Sequence, residues 1–519
     1  MEIHAFFCYN KVGGSMHKIS KFLFSRVVIN GILIVLQAFL LFFLFAYLST
    51  ASLFVYIILM LIGALISMAL LNDNLNPSFK IPWLLLLIVF PILGVFLYLL
   101  NGKIWIRKKY RKERFEIENY EYQKSKPLEE IKEQDKSIYG QAKYIYDNIN
   151  SPIYKNTEST YYSVGEDMFA DMIKDLKSAK KFIFLEYFII QKGKMWDTIL
   201  EILLDKKEEG VDVRVIYDDI GCISKLPNNY YKELDKMGIP CISFNRFKPI
   251  LSIIYNNRDH RKIMVIDGNI GYTGGINLAD EYINETSKFG HWKDTGIRIK
   301  GEAVATLTML FLDAWNIFKV DNTPFDAYLP EKKKYVSDGY FAPYGDSPLK
   351  RETAGETVYL NMINAATDYV YITTPYLILT YELVLALTNA AKRGVDVKII
   401  TPAIPDKWIV HAITESYYPI LMKSGVEIYE YTPGFIHSKT FICDDKVGVV
   451  GTINLDFRSL YHHYENAVWI YQSSAITSIK RDFMETLGKS NFMDEQKMKA
   501  LPWYKKIIGT VAKIFAPLM

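Results

Sequence analysis

Residues 27–72 carry no charged side chain, and Ser49-Thr50 divides this run into apolar stretches at 27–48 and 51–71. A third apolar stretch, 81–100, follows the polar break Asn72-Asp73-Asn74-Leu75-Asn76-Pro77. About 20 helical residues cover the ~30 Å of a hydrocarbon core, so the pattern predicts a transmembrane region over residues 1–100. A cleaved signal peptide has an apolar core of only ~7–15 residues, shorter than any of the three. Pro91 stands where it would kink the third stretch or turn it back, which leaves two or three crossings open. Seven cations between Lys103 and Arg114, against Glu113 alone, follow the last stretch. The positive-inside rule places that end, and the long remainder of the chain, in the cytoplasm. Lys11, Lys18, Lys21 and Arg26 flank the first stretch, so two crossings keep both basic clusters inside and three put one outside. The expectation is a multi-pass protein of the cell membrane with a cytoplasmic catalytic region.

After a charged linker at 101–150, read as a helix with a solvated face, the periodicity changes. Amphipathic helical stretches alternate with short apolar, β-branched runs such as 182–190 and 211–217, the pattern of a layered α/β architecture. The pattern occurs twice. GVDVRVIY at 210–217 returns as GVDVKIIT at 394–401, an offset of 184, and LDKMGI at 234–239 returns as LMKSGV at 421–426, an offset of 187. His260-Arg-Lys262 returns as His437-Ser-Lys439, an offset of 177 that holds through Asp267/Asp444, Gly274/Gly451 and Asn277/Asn454. Offsets that drift only between elements indicate a duplicated domain, with halves at 151–335 and 336–485, not a solenoid of 20–50-residue repeats. The drop from 187 to 177 locates about ten extra residues near 246–257 in the first half, apolar with basic flanks.

Composition sharpens the picture at three points. The mean hydropathy of +0.05 is high for a chain with 23% charged residues, as the N-terminus requires. The four cysteines, Cys8, Cys222, Cys241 and Cys443, form no CxxC pair, which excludes a zinc ribbon or disulfide framework and fits a reducing compartment. The net charge is +4, and the cluster at 103–114 carries +6 of it, leaving the remainder at −2. A nucleic-acid partner calls for a basic domain, so none is expected.

The repeated motif carries the chemistry. Residues i and i+2 of an extended segment share a face, so His260 with Lys262, and His437 with Lys439, each direct an imidazole and an ammonium to one place. Asp267-Gly268 and Asp444-Asp445 are turn signals that end the strand. The chain then returns to Gly274-Gly275-Ile276-Asn277 and Gly451-Thr452-Ile453-Asn454, where small residues admit an anion and an Asn amide donates to it. Two such sets around one phosphorus suit phosphoryl transfer without metal or other cofactor. One neutral imidazole attacks, the other protonates the leaving alcohol, and lysines and asparagines hold the non-bridging oxygens. A nucleophilic imidazole needs a partner for its other nitrogen. The halves realign at Asp294 and Glu465, an offset of 171, each a carboxylate heading a β-like run, and these are the candidate His-orienting groups.

H-x-K-x4-D-x6-G-(G/S/T)-x-N twice in one chain resembles the phospholipase D superfamily over about residues 155–475. The apolar N-terminus, Leu185-Glu-Tyr-Phe-Ile, Trp292-Lys-Asp-Thr, Thr374-Pro-Tyr and Asn454-Leu-Asp-Phe-Arg-Ser459 resemble bacterial membrane-anchored cardiolipin synthases more closely. The resemblance implies a duplicated phospholipase-D-like α/β sandwich. It also implies transfer of a phosphatidyl group between two phosphatidylglycerol molecules in a bilayer, giving cardiolipin and glycerol. His260 would be the nucleophile that becomes a phosphohistidine, His437 the acid/base, and Lys262, Asp267, Lys439 and Asp444 the rest of the catalytic set. Taken by their own context, Asp267 and Asp444 read as strand-end structure. Asn277, Asn454, Thr452 and Gly275 form the phosphate-binding support, and Gly275 departs from the Ser or Thr of many members, so the half-sites are unequal. A hydrolase releasing phosphatidic acid uses the same intermediate, and a nuclease of the superfamily is disfavoured by charge. His291, His411, His462 and His463 find no partner in the repeat and read as surface or satisfied core residues, although His291 stands beside Trp292, near the expected site. The segment 486–519 is basic and amphipathic, fit either for an anionic leaflet or for docking on the domain.

Overall fold

The computed structural model describes residues 26–51, 53–73, 76–101, 126–247, 256–319, 323–331, 333–350 and 352–518. The basic cluster at 103–114 and most of the 246–257 insertion lie outside them. The chain forms two compact units, one built on the N-terminal helices and the other on most of the chain from 126 onward.

In the first unit, helices Arg26–Ala51 and Leu53–Asn72 correspond to the first two apolar stretches. Among the described residues, Leu53–Asn72 is the helix long and apolar enough to cross a membrane. The third stretch is not one helix. It breaks at Phe90 into Pro77–Val89 and Pro91–Asn101, because Pro91 cannot donate to the preceding turn. At 13 and 11 residues neither piece covers a hydrocarbon core alone. Leu70, Leu87 and Val95 form a small apolar cluster that holds these helices together.

In the second unit the expected duplication is seen strand by strand. The first half contributes β1 (Thr157–Tyr162), β2 (Phe182–Tyr187), β3 (Asp212–Asp218), β4 (Cys241–Phe244), β5 (Lys262–Ile266), β6 (Ile270–Gly274), β7 (His291–Lys293) and β8 (Gly296–Gly301). The second contributes β9 (Tyr340–Asp346), β10 (Tyr369–Thr373), β11 (Asp396–Pro402), β12 (Glu427–Tyr431), β13 (Gly434–Ile436), β14 (Thr440–Cys443), β15 (Val447–Gly451), β16 (Glu465–Tyr471) and β17 (Ser490–Phe492). One sheet runs β1-β8-β6-β5-β2-β3-β4, and the other, read from its far edge, β9-β16-β15-β14-β10-β11-β12-β17. In both, the central strand pairs parallel with the next βα unit and antiparallel with the hairpin of the repeated motif. β2 and β10 are buried along their whole length, hence their largely apolar and aromatic sequence, in which the buried Glu186 of β2 is paired with Arg261.

One continuous apolar core draws on both sheets, with Phe184, Ile263 and Phe311 beside Ile442, Val450 and Ile470. Each large side chain so buried contributes roughly 1.5–3 kcal/mol, so separating the halves is strongly unfavourable. A two-stranded ribbon, β7 parallel to β13, also joins the halves by pairing His291–Lys293 with Gly434–Ile436. The linker differs from expectation. Residues 126–149 form two helices, Lys126–Gln134 and Lys136–Ile149, whose Ile131, Ala142 and Ile145 are wholly buried. Their charges face water, but an apolar stripe at helical spacing docks them on the second unit, where Trp469 donates to Gln141.

Candidate active site

His260 and His437 lie in the extended segments that lead into β5 and β14, just outside the strands themselves. Each is held by the other half. The His260 amide donates to the Tyr464 carbonyl (2.9 Å), and the His437 amide donates to the Lys293 carbonyl (2.7 Å). The residue after each of those carbonyls is a buried carboxylate. His260 Nδ1 meets Glu465 at 2.9–3.0 Å, and His437 Nδ1 meets Asp294 at 2.7 Å. The two carboxylates singled out in the sequence therefore serve the imidazole of the opposite half. Separating the halves would break both pairs.

Burial pushes the His260 imidazole well below its usual value, and Glu465 restores only part of the difference. Burial acts on Glu465 in the opposite sense, but the facing His260 ring outweighs it and holds the carboxyl low. The state consistent with both is a neutral imidazole whose Nδ1–H points at a carboxylate, leaving the Nε2 lone pair open. His437 is also driven down, by burial and then by Lys439 and Lys262. Burial raises Asp294 to about 7 against the pull of Lys439. His437 Nδ1 lies 2.9 Å from Lys439 Nζ as well as against Asp294, so a donor and an acceptor compete for it. Each motif lysine also bonds the carbonyl of its own histidine, but among the described residues Lys262 Nζ makes no contact with His260 Nδ1 like that of Lys439 Nζ with His437 Nδ1. Burial lowers Lys262 to about 7, with Lys439 adding to the effect, and lowers Lys439 to about 8.

The supporting residues divide. Thr452 donates its hydroxyl to Glu465. Gly275 has no side chain because Asp294 fills the space: a Cβ there would lie 2.0 Å from Asp294 Oδ1. The missing hydroxyl of the first half is thus replaced by a backbone donor, the Thr295 amide at 2.8 Å from Asp294 Oδ1. Gly275→Ala is expected to displace Asp294 from His437 and lower kcat about 10–100-fold, the usual cost of misplacing a catalytic group by about an ångström. Steady-state kinetics with a thermal-unfolding control checks this, and unchanged kcat would contradict it.

Asn277 differs from its expected role. Its Oδ1 accepts from the Ile189 amide (3.0 Å) and its Nδ2 donates to Tyr282 (2.7 Å), so the side chain is engaged in holding the loop. Asn454 Oδ1 is buried without a partner. Asp267 and Asp444 stand apart from the imidazoles. Each sits at φ near 55° in the turn that closes its hairpin, roughly 16 Å along the strand from the lysine of its motif. Asp267 accepts from the amides of Lys180, Lys181 and Phe182, and Asp444 from those of Thr367, Asp368 and Tyr369. Their place in the catalytic set is corrected accordingly: they anchor the start of the central strand, as their turn context indicated.

His463 is the residue missed in the sequence. It is buried, its ring centroid lies 5.3 Å from that of His260, and its Nδ1 is 3.5 Å from Glu465. The signal was present, because the 171-residue offset that aligns Asp294 with Glu465 aligns Trp292 with His463. Trp292 correspondingly flanks His437, with centroids 5.6 Å apart. His260, His463 and Glu465 place ligand atoms within 4.8 Å of one another and could hold a metal ion, as could His411, Glu415 and Glu430 away from this site. His291 bonds Tyr431 and His462 bonds the Pro517 carbonyl.

Two buried imidazole–carboxylate pairs, each spanning both halves of a duplicated α/β unit, define a phospholipase-D-like phosphodiester site. The family comparison agrees, matching the cardiolipin synthase, PLD-like domain at residues 172–307 and again at 359–487. A phospholipase D-nuclease N-terminal domain matches at 55–103, consistent with membrane association through the apolar helix there. A cardiolipin synthase of Alkalihalophilus pseudofirmus is 33% identical over 86% of this chain and 90% of its own. An uncharacterized protein of Streptococcus mutans is 46% identical over 87% of this chain and 98% of its own. Among solved structures, the phosphatidylserine synthase of Haemophilus influenzae shares the fold, with a TM-score of 0.53 and 16% identity over 72% of this chain and 97% of that one. The chain belongs to the cardiolipin synthase family of the phospholipase D superfamily.

Proposed function

We propose that the protein transfers a phosphatidyl group from one phosphatidylglycerol to the free glycerol hydroxyl of another, forming cardiolipin and glycerol. The observation that carries this reading is the unequal pair of imidazoles. His260 has its Nδ1 committed to Glu465, whereas His437 Nδ1 lies between Asp294 and Lys439. His260 is therefore preset as the nucleophile, and His437 is placed to change its protonation during the reaction.

In the first step His260 Nε2 attacks phosphorus, the P–N bond forms and the P–O bond to glycerol breaks. Protonated His437 gives its proton to the departing oxygen. The phosphodiester anion itself favours this state, because it offsets the fields of Lys439 and Lys262 that add to burial in holding the imidazole low. In the second step a hydroxyl of another phosphatidylglycerol gives its proton to His437 and attacks phosphorus, and the P–N bond breaks. Lys262, Lys439 and Asn454 stabilise charge on the non-bridging oxygens, the role metal ions fill in other phosphoryl transferases. His463 and Thr452 hold Glu465 against His260.

The protonation states fix the sign of the pH dependence. The nucleophile must be neutral, and His260 is already held well below 6.5, so the acid limb of kcat/KM lies far down. His437 must take up a proton that burial and the lysines disfavour, and the lysines must be charged, so kcat/KM is expected to fall with rising pH across the neutral range and more steeply through about 7 and 8. A pH profile of kcat/KM on phosphatidylglycerol checks this, and activity still climbing at pH 9 would contradict it.

Membrane placement follows the same reading: Arg26–Ala51 and Leu53–Asn72 as two crossings, with the catalytic unit on the cytoplasmic side. The support is the basic sequence at both flanks of that pair. The test of function is product analysis with the full chain in phosphatidylglycerol vesicles. Cardiolipin and glycerol in equal amounts are expected. Phosphatidic acid in place of cardiolipin would make the enzyme a hydrolase.

A further inference from the structure

The C-terminal helix, Trp503–Phe515, is oriented opposite to a helix that rests on a soluble domain. Its Lys505, Gly509 and Lys513, spaced i, i+4 and i+8, face inward. Lys505 pairs with the buried Glu415 at 2.7 Å, and Lys513 Nζ lies 3.6 Å from the centre of the Tyr417 ring. Gly509 lets the backbones close, since a Cβ there would lie 2.3 Å from the Ala412 carbonyl. The opposite face is apolar and open: Trp503 is 74% exposed, Ile507 53% and Val511 51%, with Tyr504, Ile514 and Phe515 also exposed. On a 100° wheel these six fall within about 120°, centred opposite the three inward positions. On the neighbouring helix Trp408–Met422, Trp408 and Ile409 are also exposed, one turn before Ala412.

A surface helix in water buries its apolar stripe and exposes its lysines. This one turns two partly buried lysines inward and exposes the stripe, and so large an apolar patch marks a contact surface. We propose that the outer face of the Trp503–Phe515 helix and the exposed start of the Trp408–Met422 helix lie in the interfacial layer of the bilayer. Three observations select lipid over a second copy of the chain. The stripe opens with Trp503 and Tyr504, side chains suited to the headgroup boundary. Thirteen residues span about 20 Å, too short to cross a bilayer but sufficient to lie along its surface. A membrane is at hand, because the same chain carries the apolar helix Leu53–Asn72. Lys506 and Thr510 flank the stripe on one edge and remain exposed, placed to meet headgroups. The helix also ties this surface to the catalytic unit, since the carbonyl of Pro517 just beyond it accepts from His462, the neighbour of His463.

The inference does not depend on the reaction, and its test has a readout that does not either. In full-length Cys8→Ser protein, whose Cys222, Cys241 and Cys443 are buried, Val511→Cys is labelled with an environment-sensitive fluorophore. Exposed Lys174→Cys is the control, and both are reconstituted in phosphatidylglycerol vesicles. At 511 the expected result is a blue-shifted emission, quenched by nitroxide-bearing lipids and at least fivefold less by aqueous iodide than at 174. Quenching by iodide equal to that at 174 would overturn the proposal. So would shielding that disappears on diluting the protein in lipid, which would mark a contact between copies. As a second arm, Ile507→Glu with Val511→Glu is expected to lower turnover in vesicles at least tenfold while leaving turnover of detergent-dispersed short-chain lipid within twofold. Equal loss in both would assign the face to domain stability and overturn the proposal.

Discussion

His260→Ala is expected to reduce phosphatidyl transfer below about a thousandth of the wild-type rate, with the fold intact. The imidazole Nδ1 faces Glu465 without a competing lysine among the described residues, and burial favours the neutral form of the ring. Neither the lysines nor His437 can replace it. Lys262 is directed at the His260 carbonyl, and His437 Nδ1 is shared between Lys439 and Asp294. Residual turnover would come only from binding and charge stabilisation, which in enzymes built around a nucleophile and base leave a small remnant of the rate. Removing the ring leaves space beside Phe188, whose centroid is 5.0 Å away, and the larger core is untouched. Turnover assayed with circular dichroism and thermal unfolding separates chemistry from folding. A variant retaining more than about a thousandth of the rate with a normal unfolding curve would contradict the nucleophile assignment.

Glu465→Gln is the second large effect, an expected loss of about 10²–10⁴ in kcat with KM little changed, the scale seen when a histidine loses its orienting carboxylate. The isosteric amide preserves packing but removes the charge that fixes the His260 tautomer, and it weakens the seat of the Thr452 hydroxyl and His463. Because Glu465 lies in the second half and His260 in the first, this loss would appear at a nucleophile 205 positions away in the chain. Asp294→Asn should instead impair the proton transfer to the leaving alcohol. That loss should shrink for a substrate whose leaving group needs no proton, whereas the loss in Glu465→Gln should persist. Equal recovery in both variants would contradict the division of roles between the two pairs.

Much of this was legible in the sequence, because duplication repeats its own signals. The offsets that align His260 with His437 and Asp294 with Glu465 showed the duplicated α/β halves and named all four members of the cross pairs. Which carboxylate serves which imidazole was not legible, because the answer depends on the way two sheets face each other. Asp267 and Asp444 belong to the motif in sequence but not to the site in space. A strand of four or five residues carries them to the far end of the strand from the imidazole, where backbone amides claim them. Gly275 was visible as a departure, but its cause, the space taken by Asp294, required the packed structure. His463 escaped because its counterpart is Trp292, and a search for repeated histidines passes over a tryptophan. The linker was legible as helical, but its docking was hidden by its charge, since Ile131, Ala142 and Ile145 supply only a narrow apolar stripe among Glu and Lys.

The central claim is that His260 carries the phosphatidyl group while His437 moves the proton. A phosphatidyl ester of p-nitrophenol tests it most directly, because nitrophenolate departs without an acid. In His437→Ala the first step should proceed and the second should stall for want of a base, releasing a burst of one nitrophenolate per enzyme and then almost none. In His260→Ala no burst should appear. A burst in His260→Ala with none in His437→Ala would reverse the two roles, and steady release with no burst in His437→Ala would contradict a stalled covalent intermediate.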